Sequence, residues 1–254
     1  MRIIAGSKRG MKLFSPKTDA SRPITDRVKE SLFSVLYKYD LPAVRQAHRP
    51  ERSRRSGKIA ADLFCGVGSL GLEALSRGAE FVTFVEKDPK IIATLKKNIE
   101  KAGFAGPATA RSLARPTALP WRAAVTSESP LGDTLLRSGT LYGGWKAGHG
   151  TSRTRARVIR ADAFKIGAPV DEQKYDLVFV DPPYSTTRET KEGSPLSELL
   201  VLLNEQSAVG GIVVVRTERR TELLEQYGRF EVIERRQWGT MAVTILQRPA
   251  TARP

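Results

Sequence analysis

"ADLFCGVGSLG" (residues 61–71) constrains the architecture more than any other part of the chain. An apolar run leads into three glycines, Gly66, Gly68 and Gly71, which have the G-x-G-x-x-G spacing. A helical pattern follows and ends at Gly78. This order is typical of a ligand-binding turn between a strand and a helix. A nicotinamide dinucleotide, S-adenosylmethionine and a purely structural turn are all compatible with the glycines alone.

Strands and helices alternate on both sides of this turn, which indicates a doubly wound, mostly parallel α/β sheet of Rossmann-like type with right-handed crossovers. Such sheets bind ligands at the carboxyl ends of their strands. The predicted helices are 25–39, 69–77, 89–102 and 196–206. The predicted strands are 59–64, 81–85, 158–159, 176–181 and 212–215, with a final antiparallel pair at 230–235 and 241–247.

Four predicted strands end close to a carboxylate: Asp62, Glu86, Asp162 and Asp181. Glu86 lies 20 residues beyond Gly66, where an acid can accept both hydroxyls of a ribose. Asp62 favours a ligand with an ammonium group, such as S-adenosylmethionine, because a pyrophosphate would be repelled by a carboxylate there. Asp162 is placed to accept from an adenine amino group. Four acids at one edge suit an amino-rich, cationic ligand.

"KYDLVFVDPPYS" (residues 174–185) combines a buried strand with an unusual ending. The apolar run stops at Asp181, and Pro182 and Pro183 then stiffen the chain. This ending places an acid, a rigid backbone carbonyl and the Tyr184 ring at the edge where a parallel sheet binds its ligands.

The net charge of +15 favours a polyanionic partner, and its distribution is uneven. Residues 1–40, 41–58 and 103–157 carry +5, +5 and +6, whereas the remaining α/β core is close to neutral. Residues 41–58 and 104–155 lack apolar periodicity and are predicted to be basic, low-complexity, disordered insertions. The expected domains are a basic N-terminal extension at 1–40, a catalytic domain at 59–247 interrupted by the second insertion, and a tail at 248–254.

Cysteine usage and hydropathy bear on the compartment. A single cysteine, Cys65, excludes an intrachain disulfide, and no run approaches the roughly 20 apolar residues that a membrane helix needs. We expect a cytoplasmic monomer that needs neither a metal nor a membrane.

Several segments together resemble the RsmD-type bacterial methyltransferases, which methylate N2 of a guanine in 16S ribosomal RNA. The matching segments are "MRIIAGSKRGMKL", "RPITDRVKESLFSVL", "DLFCGVGSLGLEALSRGA", "VEKD" and "DLVFVDPPY". The combination of Arg22-Pro23 with residues 25–30 is the most specific part, and a typical member lacks the two basic insertions.

The resemblance implies a class I methyltransferase fold, S-adenosylmethionine as cofactor, and 16S rRNA or an assembling small ribosomal subunit as partner. The predicted catalytic residues are Asp181, Pro182, Pro183 and Tyr184. If Asp181 and the Pro182 carbonyl each accept an N–H of the guanine amino group, they hold the amine with its lone pair directed at the methyl donor, and Tyr184 can stack on the face of the base. The sequence leaves open whether Asp181 takes the proton. The predicted cofactor-binding residues are Asp62, Phe64, Gly66, Gly68, Glu86, Lys87, Asp162 and Ala163. The predicted RNA-binding residues are Lys8, Arg9, Arg22, Arg27 and Lys29.

Two other functions remain open from the sequence. A DNA adenine-N6 or cytosine-N4 methyltransferase would use the same Asp-Pro-Pro-Tyr chemistry, although it would normally carry a target-recognition domain. A non-enzymatic RNA-binding or assembly protein on this fold would fit the charge, but it would leave the set of acids without a role.

Overall fold

A computed structural model describes residues 1–15, 24–39, 58–106, 154–171 and 173–250. The helices are α1 Asp26–Tyr37, α2 Ser69–Arg77, α3 Pro89–Lys101, α4 Ala163–Ile166 and α5 Pro195–Gln206. The strands are β1 Ile59–Leu63, β2 Phe81–Glu86, β3 Ala156–Arg160, β4 Tyr175–Val180, β5 Ser207–Glu218, β6 Gln226–Tyr227, β7 Phe230–Trp238 and β8 Met241–Gln247. Short 3-10 helices cover Gly6–Lys8 and Tyr184–Thr186.

The eight strands form one sheet in the order β3-β2-β1-β4-β5-β8-β7-β6. Strands β1 to β5 pair in parallel, and β8 joins β5 antiparallel, as β7 joins β8 and β6 joins β7. Leu63 at the end of β1 pairs with Val85 on β2 and with Val180 on β4. The carboxyl ends therefore lie level along one edge, which we call the carboxyl rim. The predicted doubly wound sheet is confirmed.

Helices cover both faces of the sheet, and each face has its own hydrophobic core. Helices α1, α2 and α3 pack on the face that carries Leu177 and Phe179, while α5 packs on the face that carries Val178 and Val180. The alternation of these four residues on β4 shows why a continuous apolar run is needed in a strand that is covered on both sides.

Local signals in the sequence fix the helix ends. Thr25 caps α1 by accepting from the Val28 N–H, and Gly78 ends α2 in the left-handed conformation. Asp88 caps α3, in which Pro89 occupies the first turn. The sequence missed the short elements α4 and β6, and it predicted β5 too short, as 212–215 instead of Ser207–Glu218.

A buried ionic network ties the N-terminal segment to α2. The carboxylate of Glu73 accepts from the N–H groups of Ile4 and Ala5 at 2.7 and 3.0 Å. The same carboxylate pairs with Arg77 Nε at 2.7 Å and with Lys29 Nζ at 3.4 Å. Because both amides and both cations depend on one carboxylate, residues 1–8 and α1 are held against α2 as one body.

The ends of the second predicted insertion meet. Gly106 N–H donates to Thr154 Oγ1 at 3.1 Å, and Arg155 N–H donates to the Phe104 carbonyl at 3.0 Å. This contact lies at the end of α3 and the start of β3, which is the edge of the sheet opposite the carboxyl rim. Residues 107–153 and most of 41–58 lie outside the described residues, so the prediction of disorder there stays a prediction.

Candidate active site

The glycine turn joins β1 to α2 at the carboxyl rim. Gly66 and Gly68 have φ values of 55° and 84°, in the left-handed region that favours glycine. A Cβ on Gly71 would lie 2.4 Å from Cε1 of Phe84, so glycine there allows α2 to pack closely on β2. A Cβ on Gly66 would meet no heavy atom within 4 Å. The first glycine therefore borders open space and the third borders the core, as a ligand-binding turn requires.

Asp62 is a buried carboxylate beneath this turn. Its side chain accepts from the Gly71 N–H at 2.8 Å, which fixes the first turn of α2 relative to β1. Burial raises the pKa of Asp62 well above its ordinary 3.8, and the nearby carboxylates Asp181 and Glu86 raise it further. The Gly71 N–H and Arg216 act in the opposite direction. A cation placed beside this group would offset the cost of its buried charge.

Glu86 ends β2 and organises the loops on both sides of it. Glu86 Oε2 accepts from the Gly66 N–H at 3.0 Å. Glu86 Oε1 accepts from the N–H groups of Lys87 and Asp88 at 2.8 and 3.0 Å. The side chain of Lys87 is exposed. Each carboxylate oxygen has two lone pairs, so Glu86 can hold these amides and still accept from a ligand hydroxyl.

Asp162, Ala163 and Phe64 meet beside the end of β3. Asp162 caps α4 through a bond of 3.0 Å from the Phe164 N–H, and Ala163 is the first residue of that helix. Phe64 has a φ of 57°, unusual for a residue other than glycine, and its ring packs 4.7 Å from the ring of Phe164. A strained residue at a site is consistent with a functional constraint on its position. The structure thus adds Phe164, which the sequence did not single out.

The Asp-Pro-Pro-Tyr segment leaves β4 directly at the rim. The Asp181 N–H donates to the Leu63 carbonyl at 3.3 Å, which brings the segment beside the glycine turn. The Pro183 carbonyl closes the 3-10 helix by accepting from the Thr186 N–H at 3.0 Å. Among the described residues, no hydrogen bond reaches the Pro182 carbonyl. Pro182 itself is buried, and the role of its carbonyl as an acceptor for a ligand stays a prediction.

Arg216 is a site residue that the sequence analysis missed. Arg216 Nε lies 2.5 Å from Asp181 Oδ1, and the guanidinium carbon lies 5.8 Å from the centroid of the Tyr184 ring. Burial raises the pKa of Asp181, whereas the charge and hydrogen bond of Arg216 lower it. The register of two strands brings it to the site, because Val215 pairs with Val180, and Arg216 and Asp181 are the next residues along the chain. No local sequence pattern marks this pairing, and the predicted β5 ended one residue before Arg216.

The predicted RNA-binding residues differ in exposure and in position. The prediction for Lys29 is wrong, because its side chain is fully buried. It donates to the Arg2 carbonyl at 2.5 Å and to Ser69 Oγ at 3.2 Å, in addition to its pairing with Glu73. Burial lowers its pKa, while Glu73 raises it. Arg22 lies outside the described residues.

Lys8 and Arg9 lie far from the carboxyl rim. The Lys8 N–H donates to Ser76 Oγ at 2.9 Å, near the end of α2, whereas α2 begins at the glycine turn. A helix of nine residues is about 13 Å long. Arg9 and Arg27 are exposed. A role in RNA binding for Lys8, Arg9 and Arg27 therefore remains a proposal, and for Lys8 and Arg9 it would concern parts of an RNA distant from the reacting base.

The described residues offer no membrane-spanning helix and no cluster of metal ligands. No helix in residues 1–15, 24–39, 58–106, 154–171 and 173–250 is long and apolar enough to cross a bilayer. The same ranges contain no group of three or more His, Cys, Asp or Glu side chains arranged to hold a metal ion.

Comparison with known proteins identifies the family. The family model described as "Conserved hypothetical protein 95", which is the RsmD family, matches residues 1–127 and 148–247. The chain belongs to this family. The resemblance predicted from the sequence is confirmed, and the chain is a methyltransferase with the class I fold.

Relatives of this RsmD-family chain carry concordant names. The Bacillus subtilis protein named "Putative rRNA methyltransferase YlbH" is 28% identical over 252 residues, which cover 98% of this chain and 99% of that protein. "Ribosomal RNA small subunit methyltransferase D" of Haemophilus influenzae is 44% identical over 100 residues, 39% of this chain and 44% of that protein. The solved structure titled "Putative methyltransferase yhhF from Escherichia coli" is 26% identical, with a TM-score of 0.60 and 99% of both chains covered.

Proposed function

We propose that this RsmD-family chain transfers the methyl group of S-adenosylmethionine to the exocyclic N2 of a guanine in 16S rRNA of the small ribosomal subunit. The observation that carries the proposal is the pairing of Asp181 with Arg216 at the rim, next to the glycine turn and the carboxylates Asp62 and Glu86. The names of the relatives, which refer to ribosomal RNA, support the choice of substrate.

The rim fits the chemical groups of S-adenosylmethionine. Asp62 supplies a buried negative charge for the methionine ammonium group, and Glu86 supplies acceptors for the ribose hydroxyls. Asp162 is an acceptor for the adenine amino group, beside the Phe64 and Phe164 rings, which provide an apolar surface for the adenine. Gly66 leaves space where a side chain would otherwise project. When bound, the cofactor supplies the electrophilic methyl group on a cationic sulfur.

Asp181 and Pro182 act on the nucleophile. The lone pair of a guanine amino group is delocalised into the ring, so the amine is a poor nucleophile until it is held in one orientation. Asp181 accepts one N–H and the Pro182 carbonyl accepts the other, which turns the lone pair toward the donor. Proline fixes the direction of that carbonyl, because its φ is constrained.

Arg216 and Tyr184 complete the binding of the base. Arg216 fixes the orientation of the Asp181 carboxylate, and its charge opposes the rise in the pKa of Asp181 that burial causes, which favours the charged, accepting form. The Tyr184 ring lies under the same guanidinium group and offers a face on which the flipped base stacks, an interaction worth about 1–3 kcal/mol. Because the methylated amine is acidic once it forms, Asp181 or water can accept its proton.

The decisive experiment supplies labelled S-adenosylmethionine with three substrates: small ribosomal subunits, naked 16S rRNA and duplex DNA. We expect label in ribosomal RNA and not in DNA, and mass mapping should locate it on N2 of a guanine. The Asp181→Ala variant should lose methyl transfer by orders of magnitude while its cofactor affinity stays within a few-fold. Label in DNA alone, or on a different base atom, would overturn the proposal.

A further inference from the structure

A cavity of about 290 Å³ lies between α1 and β7, outside the active site described above. The α1 side is formed by residues between Ser31 and Lys38, and the β7 side is formed by Arg236, Gln237 and Trp238. Trp238 is half-buried, with part of its ring packed on the core that α1 covers. An aromatic ring and two basic side chains, Lys38 and Arg236, in one cavity are suited to a nucleotide.

This α1–β7 cavity opens on the same face and rim as the catalytic segment. Arg216 pairs with Val243 on β8, and Val243 pairs with Arg236 on β7. Residues directly opposite one another share a face of the sheet, so Arg216 and Arg236 project to the same side. Three strand spacings separate β4 from β7, which is about 14 Å. A stacked strand rises about 3.4 Å per nucleotide, so about four nucleotides span this distance.

The surface around the cavity carries an excess of basic groups. Lys38, Arg219, Arg220 and Arg236 are exposed, and Arg219 Nε donates to Gln237 Oε1 at 3.0 Å. The nearby acid Glu234 accepts from the Tyr39 hydroxyl at 2.6 Å and pairs with Arg236 at 2.5 Å. These two bonds lower the pKa of Glu234, so it is ionised and neutralises one of the cations. A second acid, Glu218, shares the face of Trp238, because both residues pair with Met241. The four basic groups still outnumber these two acids.

We propose that the α1–β7 cavity binds one nucleotide of the single-stranded RNA that flanks the target base. Trp238 stacks on the nucleobase, and Lys38 and Arg236 contact the adjacent phosphates. Stacking and phosphate contacts tolerate any base, so the cavity holds the strand in register and does not read sequence. This inference rests on the proposed function, because it assumes that the substrate is RNA.

The sequence places its excess positive charge in residues 1–40, 41–58 and 103–157 and leaves the rest of the α/β core close to neutral. The structure offers a route within the core, because strands distant in sequence place Arg216, Arg219 and Arg236 on one rim. Lys8 and Arg9 lie at the opposite end of α2, so the α1–β7 cavity is the nearer basic surface.

The test uses the full chain and two fluorescent probes, a twelve-nucleotide oligouridylate and an abasic chain of the same length, titrated by polarisation at several salt concentrations. Trp238→Leu keeps an apolar side chain but removes the ring. It should weaken binding of the oligouridylate by five-fold to a hundred-fold, the range for loss of one stacked base, and should leave the abasic chain unaffected. Lys38→Ala combined with Arg236→Ala should weaken both probes and reduce the salt slope by about two.

A matched control is Lys174→Ala combined with Arg229→Ala, which removes two exposed cations near Glu205, away from the cavity. This control should bind both probes almost as the native protein does. Equal affinity of native protein and Trp238→Leu for the oligouridylate would overturn the proposal, and so would equal losses for both probes. Either result would show that Trp238 does not stack on a nucleobase.

Two measurements separate this proposal from the proposed function. Thermal unfolding shows whether Trp238→Leu is folded, and Trp238→Phe, which keeps a ring, should recover most of the affinity for the oligouridylate. Methyl transfer to small subunits is measured independently. Native protein without this activity, but with the expected probe pattern, would refute the proposed function alone. Active native protein with an unaffected Trp238→Leu variant would refute the cavity alone.

Discussion

Arg216 Nε contacts Asp181 Oδ1 at 2.5 Å, so a cation from β5 holds the carboxylate at the end of β4. The two residues follow paired positions on neighbouring parallel strands, Val215 and Val180, and sheet register alone places them side by side. The arrangement fixes the direction of the Asp181 carboxylate. Burial raises the pKa of Asp181, and the charge of Arg216 opposes that rise and so favours the form that accepts hydrogen bonds.

The first prediction concerns Arg216 as a positioning residue. Its charge lowers the pKa of Asp181, so Arg216→Ala should raise that pKa further. Asp181 would then lose its charge at a higher pH on acidification, and the acidic limb of the pH–rate profile should move upward. Arg216→Ala should also lower the rate of methyl transfer. Arg216→Lys retains the charge and should keep the acidic limb near its native position, but it should restore the rate only in part. An unshifted limb in Arg216→Ala would show that Asp181 is not the group that titrates.

The second prediction concerns the stability cost of Asp62. Its raised folded pKa means that protonation stabilises the folded state at low pH, and this contribution is lost as pH rises from the ordinary 3.8 through the raised value. Asp62→Asn keeps an acceptor for the Gly71 N–H without the buried charge. The variant should therefore become more stable than the native chain as pH increases, while its affinity for S-adenosylmethionine falls. Unfolding curves recorded without cofactor between acidic and alkaline pH measure the difference in stability between the variant and the native chain. A difference that does not change with pH would contradict the prediction.

The third prediction concerns Glu86. Glu86→Gln should weaken binding of S-adenosylmethionine, because charge-assisted hydrogen bonds worth about 1.5–3 kcal/mol are lost. Glu80→Gln is the matched control, since Glu80 lies just before β2, at the other end of that strand from Glu86. Calorimetry should show weaker binding for the first variant only. Similar affinities for both variants would remove Glu86 from the cofactor site.

The fourth prediction separates two glycines of the same turn. Gly71→Ala brings a Cβ against the Phe84 ring, and overpacking of this kind costs about 1–3 kcal/mol of stability. Gly66→Ala meets no neighbouring atom and should cost about 1–2 kcal/mol for its left-handed backbone. It should also reduce cofactor affinity, because its Cβ enters the open space of the site. Ligand-induced shifts in unfolding temperature, compared between the two variants, test the assignment.

The fifth prediction concerns the buried network at Glu73. Removing one partner of a buried ion pair costs about 3–5 kcal/mol, so Lys29→Met should be strongly destabilising. It should also expose residues 1–8 to proteolysis, because their anchor on α2 is weakened. Arg27→Ala, which changes an exposed residue of the same helix, is the control and should leave both properties almost unchanged. A stable Lys29→Met variant with normal proteolysis would show that the network is not structural.

The sequence predicted the sheet and the rim acids because each rests on a local pattern. A glycine turn after an apolar run, or an acid at the end of a strand, is visible within about ten residues. Arg216 and the α1–β7 cavity depend on register between strands that are distant in sequence, which no local pattern reveals. The prediction that Lys29 binds RNA was wrong for a related reason. A lysine on an amphipathic helix is normally solvated, and only the tertiary position of Glu73 makes its burial tolerable.

The hydrogen bonds that join Gly106 to Thr154 and Phe104 to Arg155 have a consequence for the evolution of this chain. They make the junction between α3 and β3 equivalent to a short connection, whatever length of chain intervenes. Loop-closure entropy grows slowly, by about 0.6 kcal/mol for each doubling of length. Segments can therefore be gained, shortened or exchanged at this junction with little penalty to folding. The junction lies at the edge opposite the strand ends that hold Asp62 and Asp181, so such changes leave the chemistry undisturbed. A foreign domain could therefore be inserted at this junction without disturbing the active site.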